Sequence, residues 1–360
     1  GARKVEVTDS SGAVRSFEAE RGVIIATGAR PIDVPALRSD GNRIVTAREA
    51  VSLQEIPRRL VVIGGGVIGI ELGTLYARLG ADVTVVELTP KILPGVDRDI
   101  VRVVEKRLKS RGARILTETR AIGWSEKGDS ALVEVEGPAG REGIAADRVL
   151  IAIGFRPNSE ALGLEEIGVR TDERGHVQVD TSFRTSVEGV YAVGDVTGGP
   201  YLAHKAFKEA ETAAEVIAGK HVSRDWLALP AVIFSDPEIA TVGISEEAAR
   251  EQGIEIEVGR FPLAVRGRSL SLGETDGFVK EVSGRDRILG VGIAGPEASE
   301  LIGEATFAIE MMAAPEDVGL TIHAHPTLSE ALHEAMKHSI GEAIHIRNRP
   351  RKKKQLASLG

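Results

Sequence analysis

Cysteine is absent from all 360 residues. This absence excludes a disulfide framework, a cysteine zinc site and a cysteine nucleophile within these residues, and no metal site is predicted. No apolar run reaches the ~18 residues that a membrane span needs. No basic-then-apolar leader opens the chain, so we expect a cytoplasmic protein. Basic residues do not predominate, because the chain has 45 Lys and Arg but 53 Asp and Glu, which gives a formal charge of −8. We therefore expect neither nucleic acid nor a membrane as partner.

The composition is that of a globular α/β protein of two or three domains, with 42% hydrophobic residues. Residues 4–8 and 16–20 alternate in the manner of strands around a Ser-Ser-Gly turn. Residues 22–28 form a short apolar strand that runs into a glycine turn. This opening has no start of a domain before it, so we expect the beginning of the first domain to lie outside these residues.

A dinucleotide-binding fingerprint follows the apolar strand at residues 60–63. The loop GGGVIG occupies residues 64–69, residues 70–79 are predicted to be helical, and residues 82–87 form a second strand. In such a loop Gly64 makes the tight turn, Gly66 lets the backbone approach the pyrophosphate, and Gly69 lets helix and strand pack closely. The helix N-terminus favours the phosphate charge.

Glu87 ends the second strand, at about the 20-residue distance that is typical of the acid in this fingerprint. Its carboxylate can accept hydrogen bonds from the adenosine ribose, and it would repel the 2′-phosphate of NADP. The next three residues supply no arginine for that phosphate, so NAD is favoured. The alternative is a solvated acid at a strand end.

The rest of the first half continues the α/β pattern. An amphipathic helix is predicted near residues 98–111, with strands near 114–118, 130–136 and 148–153. The last strand ends at Gly154, which predicts a domain boundary there. Later, residues 189–196 repeat the form of residues 22–28, and within them Asp195 directly follows Gly194. An Asp there can hold a ligand hydroxyl, although Asp after Gly is also ordinary turn chemistry.

These motifs, taken in order, resemble the flavoprotein disulfide reductases, and most closely the dihydrolipoamide dehydrogenases among them. The resemblance covers residues 1–346. It is carried by IIATGARP (24–31), VVIGGGVIGIELG (61–73), IAIGFRPN (151–158), VYAVGDV (190–196), LAHKA (202–206), IFSDPEIATVG (233–243) and HAHPTLSEA (323–331).

The resemblance implies Rossmann-like FAD- and NAD-binding domains followed by a C-terminal α+β dimerisation domain. It divides the chain into a remnant of the FAD domain (1–58), an NAD domain (59–155), a second part of the FAD and central region (156–228), a dimerisation domain (229–346) and a basic tail (347–360). The tail is expected to be a solvated end.

The resemblance also assigns residues to the cofactors. Thr27 and Gly28 would lie near the FAD adenylate, Asp195 near its ribityl or pyrophosphate region and Ala203 near the flavin ring. Gly154 is also assigned to the cofactor-binding residues. Glu71 would lie at the flavin edge, where relatives pair this acid with a lysine that is missing here. A buried carboxylate without a partner would have a raised pKa or turn toward solvent.

His325 is the candidate acid/base, because histidine titrates near neutral pH. A helix beginning near Thr327 would place Glu330 facing back toward the imidazole, and a carboxylate on the second ring nitrogen orients it. The alternative is a helix cap, with Thr327 as N-cap and Glu330 three residues on. The resemblance makes His325 the acid/base and Glu330 its partner, with a cis His–Pro peptide. His323 is expected to be peripheral.

The implied activity is oxidation of dihydrolipoamide, with electrons passing through FAD to NAD. The active site would form across a homodimer, and a lipoyl domain of a 2-oxo-acid dehydrogenase complex would be the partner. Neither the FAD glycine fingerprint nor the CxxxxC disulfide of relatives occurs in these residues. We therefore expect this chain alone to be inactive in lipoamide turnover. A pyridine nucleotide transhydrogenase and a non-catalytic NAD-binding dimerisation scaffold stay open as alternatives.

Overall fold

The computed structural model describes residues 3–348 of the chain. These residues belong to two compact units. Of the described residues, the first unit comprises 3–32 and Gly154–Trp226, and the second comprises Asp33–Ile153 and 227–348.

The strands of the described residues are, in chain order, β1 (Lys4–Thr8), β2 (Val14–Glu18), β3 (Val23–Ile25), β4 (Ala29–Pro31), β5 (Ile44–Thr46), β6 (Arg59–Ile63), β7 (Asp82–Val86), β8 (Arg114–Leu116), β9 (Arg120–Lys127), β10 (Ser130–Gly137), β11 (Gly140–Ala146), β12 (Arg148–Ile151), β13 (Phe155–Pro157), β14 (Val190–Ala192), β15 (Ala231–Ile233), β16 (Glu238–Gly243), β17 (Glu257–Pro262), β18 (Phe278–Ser283) and β19 (Ile288–Gly295).

The α-helices are α1 (Ala47–Ala50), α2 (Val67–Arg78), α3 (Arg98–Ser110), α4 (Ala203–Ile217), α5 (Glu246–Glu251), α6 (Gly267–Leu272), α7 (Ala298–Glu310), α8 (Pro315–Leu320) and α9 (Glu330–Ser339). Short 3-10 turns occur at Pro35–Leu37, Gly194–Thr197 and Leu263–Val265. Within residues 3–348, no helix has the length and apolar character that a membrane span requires.

The first unit contains three pairs of strands. β1 and β2 form an antiparallel hairpin, β4 pairs with β13 in the antiparallel sense, and β3 lies parallel to β14. The parallel pair joins the two segments whose sequences repeat the same strand-to-glycine form. Because both strands run in one direction, their carboxyl ends lie at the same edge.

The second unit contains a five-stranded parallel sheet in the order β5-β12-β6-β7-β8. Alternate residues of its central strand contact opposite layers. Val62 packs with the apolar faces of α2 and α3, whereas Val61 and Ile63 pack against a three-stranded antiparallel sheet of β9, β10 and β11. A parallel sheet covered on both faces explains the near-continuous apolar run of β6.

The predicted strand–loop–helix–strand unit is confirmed at β6, α2 and β7, and the predicted amphipathic helix is confirmed as α3. Strands β9 and β11 were not predicted. Both are largely exposed along their length, so their sequences show little of the alternation that marks β10.

The second unit also contains a five-stranded antiparallel sheet in the order β15-β16-β19-β18-β17. One face packs against α7 and α9 through residues such as Val279 and Ile293. The opposite face contributes Phe278 and Ala294 to the core that also holds α3. The predicted fold class, a Rossmann-like α/β protein with a C-terminal α+β region, is confirmed.

A buried ion cluster links the parallel and antiparallel parts of the second unit. Lys280 of β18 is 3% exposed, and its Nζ lies 2.6 Å from Asp97 Oδ2, 2.7 Å from Asp99 Oδ1 and 3.2 Å from Glu246 Oε2. Burial would lower the pKa of Lys280, but Asp97 and Asp99 outweigh burial and raise it. Each of the three ammonium protons thus has a carboxylate acceptor.

Glu281, the next residue on β18, faces the opposite side of the sheet and is 0% exposed. Its cross-strand partner is Gly259, where an added Cβ would overlap the Ala335 carbonyl oxygen of α9. Ser339, Ser283 and the Gly259 N–H favour the ionised carboxylate of Glu281 but do not outweigh its burial. Burial raises the pKa of Glu281 from 4.5 to about 8.

We predict that Glu281→Gln removes a pH-dependent loss of stability. Between pH 4.5 and about 8 the folded chain retains a proton that the unfolded chain has lost. The free energy of unfolding therefore falls as pH rises across this window. The variant should match the parent near pH 5 and exceed its Tm near pH 8.5 by more than about 2 °C, measured by calorimetry. Glu257→Gln, an exposed acid on β17, should show no such pH-dependent gain, and parallel pH curves for Glu281→Gln and the parent would contradict the prediction.

Candidate functional site

The glycine loop of the second unit shows why glycine is needed at two of its positions. Gly64 has φ +106°, and a Cβ there would overlap the carbonyl oxygen of Ala152. A Cβ on Gly69 would overlap the carbonyl oxygen of Gly64, so this residue lets α2 approach β6. These two glycines are required by the fold.

Gly66 differs from both, because its φ is −74° and a Cβ would meet no protein atom within 4 Å. It is the N-cap of the 12-residue helix α2 and makes no side-chain capping bond. The first N–H groups of α2 and the open space above Gly66 fit a pyrophosphate group. The residues present therefore suit the dinucleotide that the sequence predicts.

Glu87 follows β7 and is 8% exposed. Its Oε2 accepts the N–H of Gly65 at 2.6 Å, and its Oε1 accepts the N–H of Thr89 at 2.7 Å. The alternative of a solvated strand-end acid is wrong, because the carboxylate is buried and hydrogen-bonded to the loop. Each oxygen keeps capacity for a second donor, such as a ribose hydroxyl. Sequence reasoning missed Gly65 as the residue that connects the acid to the loop.

In the first unit, the predicted FAD residues follow the parallel strands β3 and β14. Thr27 donates its hydroxyl to the Asn158 carbonyl at 2.6 Å, and Gly28 has φ +70° with open space around a would-be Cβ. Asp195 lies in the 3-10 turn after β14. Ala203 is exposed and begins α4, whose N-cap has no side-chain capping bond. The strand ends and this helix start are of the kind that bind a nucleotide.

Two further residues of the first unit support the turn after β14. The N–H of Gly194 donates to buried Glu209 at 2.6 Å, and Glu209 is paired with Lys205 at 3.0 Å. Gly154 has φ +116° and accepts the N–H of Ile32 at 3.0 Å. The sequence prediction did not include Glu209 and Lys205, although their i,i+4 spacing on a helix is a recognisable signal.

Glu71 lies on α2 and accepts the backbone N–H of Phe234 at 2.8 Å. Burial raises the pKa of Glu71, and the hydrogen bond from Phe234 offsets this only in part. The carboxylate therefore has a backbone donor, which the sequence did not predict, and its pKa lies above the ordinary value, which is one of the two outcomes expected for it.

The structure brings His325 and Glu330 together. Nδ1 of His325 lies 3.0 Å from Oε1 of Glu330, and the His325–Pro326 peptide is cis, as predicted. The side chain of His325 is 70% exposed, whereas that of Glu330 is 12% exposed. The second ring nitrogen, Nε2, is thus left for solvent or a substrate.

The predicted helix start near Thr327 is wrong, because α9 begins at Glu330. Instead of a cap by Thr327, the N–H of Thr327 donates to Glu330 Oε2 at 2.8 Å. Burial alone would raise the pKa of Glu330, but the Thr327 N–H, His325 and Arg266 together hold it below its usual range. Glu330 is therefore an ionised partner for the imidazole.

His323 is held away from this pair. Its Nε2 lies 2.7 Å from Glu304 Oε1, and its Nδ1 lies 3.0 Å from the Thr321 carbonyl. Both ring nitrogens of His323 therefore already have hydrogen-bond partners. Arg266, which contacts Glu330 at 2.8 Å, was not predicted, because it is 64 residues away in the sequence.

Comparison with protein families matches two regions of the chain. The pyridine nucleotide-disulphide oxidoreductase family matches residues 1–210, and the dimerisation domain of the same family matches residues 229–336.

Two curated relatives illustrate the similarity. A dihydrolipoyl dehydrogenase of Geobacillus stearothermophilus is 46% identical over 328 residues, which is 91% of this chain and 70% of the relative. A dihydrolipoyl dehydrogenase of Thermus scotoductus is 45% identical over 354 residues, which is 97% of this chain and 75% of the relative.

Two solved structures are similar. LpdA from Mycobacterium tuberculosis gives a TM-score of 0.86 at 32% identity, over 93% of this chain and 72% of that one. The HOCl-induced flavoprotein disulfide reductase RclA from Escherichia coli gives 0.87 at 26% identity, over 93% of this chain and 76% of that one.

The glycine loop with its acid and the parallel strand ends are features of nucleotide-binding proteins. The chain belongs to the pyridine nucleotide-disulphide oxidoreductase family. Within it, the chain is a flavoprotein of the dihydrolipoyl dehydrogenase type, with FAD and NAD as cofactors, lipoamide as substrate class and a homodimer as its assembly.

We predict that Gly66→Ala weakens NADH binding to the 360-residue chain by about tenfold or more while leaving Tm unchanged. The new methyl group meets no protein atom but occupies the space above the start of α2. Titration calorimetry with NADH measures the affinity. Gly123→Ala on β9, which also meets no atom, is the matched control and should bind NADH as the parent does. Gly69→Ala should instead lower Tm, and unchanged affinity in Gly66→Ala would contradict the prediction.

We also predict that the chain binds NADH at least about tenfold more tightly than NADPH. A 2′-phosphate near the Glu87 carboxylate is opposed by like charge, which costs about 1–4 kcal/mol at ~4 Å. Competitive calorimetry measures both affinities. Glu87→Gln should narrow the ratio, and equal affinities in the parent would remove Glu87 as the determinant.

Proposed function

We propose that His325 is the acid/base of the dihydrolipoamide reaction and that Glu330 is the carboxylate that orients it. The single observation that carries this proposal is the 3.0 Å contact between His325 Nδ1 and Glu330 Oε1, in a pair with one exposed and one buried member. The buried carboxylate fixes the ring, and the exposed ring offers Nε2 outward.

The chemistry follows from this arrangement. A dithiol substrate must lose a proton before its sulfur attacks a disulfide, because the thiolate is the nucleophile. His325 Nε2 accepts that proton, and the ionised Glu330 stabilises the resulting imidazolium through Nδ1. The same nitrogen returns the proton to a departing thiol.

We further propose that Gly64, Gly66, Gly69 and Glu87 hold NAD, and that Thr27, Gly28, Gly154, Asp195 and Ala203 hold FAD, with Glu71 near the flavin. When bound, FAD supplies a two-electron acceptor for the thiols and NAD supplies the hydride acceptor. The division into ranges 1–58, 59–155, 156–228, 229–346 and 347–360 belongs to this proposal. The tail from residue 349 onward lies outside the described residues.

The proposal includes a lipoyl domain of a 2-oxo-acid dehydrogenase complex as the partner that presents the dithiol, and a cytoplasmic location. It also includes the inactivity of the 360 residues alone in lipoamide turnover, because thiol–disulfide exchange needs a cysteine pair and these residues contain no cysteine.

We predict that His325→Gln, made in the protein translated from its complete coding sequence, lowers kcat for dihydrolipoamide by ~10²–10⁴. Loss of general acid–base catalysis is the physical reason. Steady-state NADH formation measures it. Oxidation of NADH by ferricyanide needs no thiol proton transfer and should be unchanged.

The matched control is His345→Gln. His345 also pairs with a buried glutamate of α9, Glu334, at 2.9 Å, and its loss should leave kcat near that of the parent. Unchanged turnover in His325→Gln would remove His325 from the mechanism. If the parent exchanges hydride between NADPH and NAD but does not oxidise dihydrolipoamide, it is a transhydrogenase.

A further inference from the structure

Arg266 is a buried cation that the proposed reaction does not use. It is 3% exposed, in the second unit, between the 3-10 turn Leu263–Val265 and helix α6. Its backbone is fixed at both ends: its N–H donates to Leu263 at 2.9 Å, and its carbonyl accepts the N–H of Leu270 at 3.0 Å. The backbone from which the guanidinium extends is thus held by hydrogen bonds on both sides.

A guanidinium removed from water needs a carboxylate partner, because an unpaired buried charge is strongly destabilising. Arg266 donates from Nη2 to Glu330 Oε1 at 2.8 Å. The same Nη2 lies 3.4 Å from Nδ1 of His325. The cation is therefore placed against both members of the His–Glu pair.

Glu330 shares one oxygen between two donors. Oε1 faces His325 Nδ1 at 3.0 Å and Arg266 Nη2 at 2.8 Å, while Oε2 accepts the Thr327 N–H. A carboxylate held by three donors has little freedom to rotate. Arg266 consequently fixes the oxygen that in turn fixes the imidazole.

The charge of Arg266 also acts on the proton that His325 exchanges. Arginine carries its charge at all relevant pH values. When Nδ1 donates to Glu330, Nη2 and Nδ1 are two donors that face one another across 3.4 Å. A proton gained at Nε2 would add positive charge beside the guanidinium, which opposes it. Arg266 thus places a positive charge against the side of the imidazole that Glu330 contacts.

We infer that Arg266 is a positioning residue for the His325–Glu330 pair, which holds the Glu330 carboxylate in place and sets a fixed positive charge beside Nδ1 of His325. The role of Arg266 in catalysis rests on the proposed function of His325. The electrostatic effect of Arg266 on His325 and Glu330 does not depend on that function. No step of the reaction needs Arg266 to touch the substrate.

The first experiment titrates His325 by NMR in the 360-residue chain with ¹³C-labelled histidine, assigned with His325→Gln. Arg266→Met should move the midpoint of the His325 titration upward by about 0.5–1 pH unit, the size expected for a neighbouring charge screened by solvent. Arg266→Gln, which is polar but neutral, should give the same shift if Arg266→Met does not fold. Arg266→Lys retains the charge and should restore the midpoint of the parent.

The matched control is Arg268→Met. Arg268 is exposed and two residues away, so its loss changes net charge equally but should leave the midpoint unmoved. A midpoint that stays constant or falls in both Arg266→Met and Arg266→Gln would overturn the inference. So would an equal rise in Arg268→Met, because the effect would then be one of net charge.

The second experiment measures the pH profile of kcat/KM for dihydrolipoamide in the protein translated from its complete coding sequence. Arg266→Gln should move the acidic limb upward by the same amount and lower kcat, and Arg266→Lys should restore the limb. If the NMR midpoint moves and the acidic limb does not, Arg266 acts on His325 as inferred but His325 is not the base. That result would contradict the proposed function while leaving the electrostatic inference intact.

Discussion

Pairing of the buried Lys280 ammonium governs the arrangement of the second unit. Lys280 comes from the antiparallel sheet, Asp97 and Asp99 from the start of α3, and Glu246 from α5. Asp97 also accepts the first N–H groups of α5. Removing Lys280 would leave the buried Asp97 carboxylate without its cation, which costs about 3–5 kcal/mol. The glycine loop and the His–Glu pair consequently belong to one compact body whose two sheets are fixed to each other by charge as well as by apolar packing.

The same rule, that a buried charge needs defined donors, organises the nucleotide loop. Glu87 ends β7 and binds the N–H of Gly65, so the end of one strand holds the loop that follows its neighbour. Gly64 and Gly69 permit the close backbone contacts that this geometry demands, whereas Gly66 is free of such contacts. The loop is therefore closely packed against the protein at Gly64 and Gly69 and open at Gly66, as the dinucleotide fingerprint requires.

Much of this architecture could be predicted from the sequence, since the glycine loop, the acid and the apolar strand are close together in the chain. The His–Glu pair could be predicted for the same reason. The roles of Lys280 and Arg266 could not, because Asp99 lies 181 positions from Lys280 and Glu330 lies 64 positions from Arg266, and only the folded chain brings them together. The sequence predicts the start of α9 three residues too early, because Thr327 and Glu330 have the spacing of a helix cap. Glu330 does accept the Thr327 N–H, but the residues between them are not helical. The hydrogen bond at Thr327 is therefore a capping contact that lies outside the helix.

Glu330 and Glu281 show how neighbouring structure sets opposite behaviour in two buried carboxyls of the second unit. Glu330 faces three donors, and its pKa lies below the ordinary range; Glu281 faces the underside of α9 and keeps its proton to about pH 8. Only an ionised carboxylate can stabilise an imidazolium, so the donors around Glu330 matter as much as the acid itself. Exposed apolar side chains at Phe307, Leu320 and Ile322 lie on the same dimerisation region as exposed His325. Within its own chain, the exposed imidazole of His325 is thus supported from behind by the buried side chains of Glu330 and Arg266.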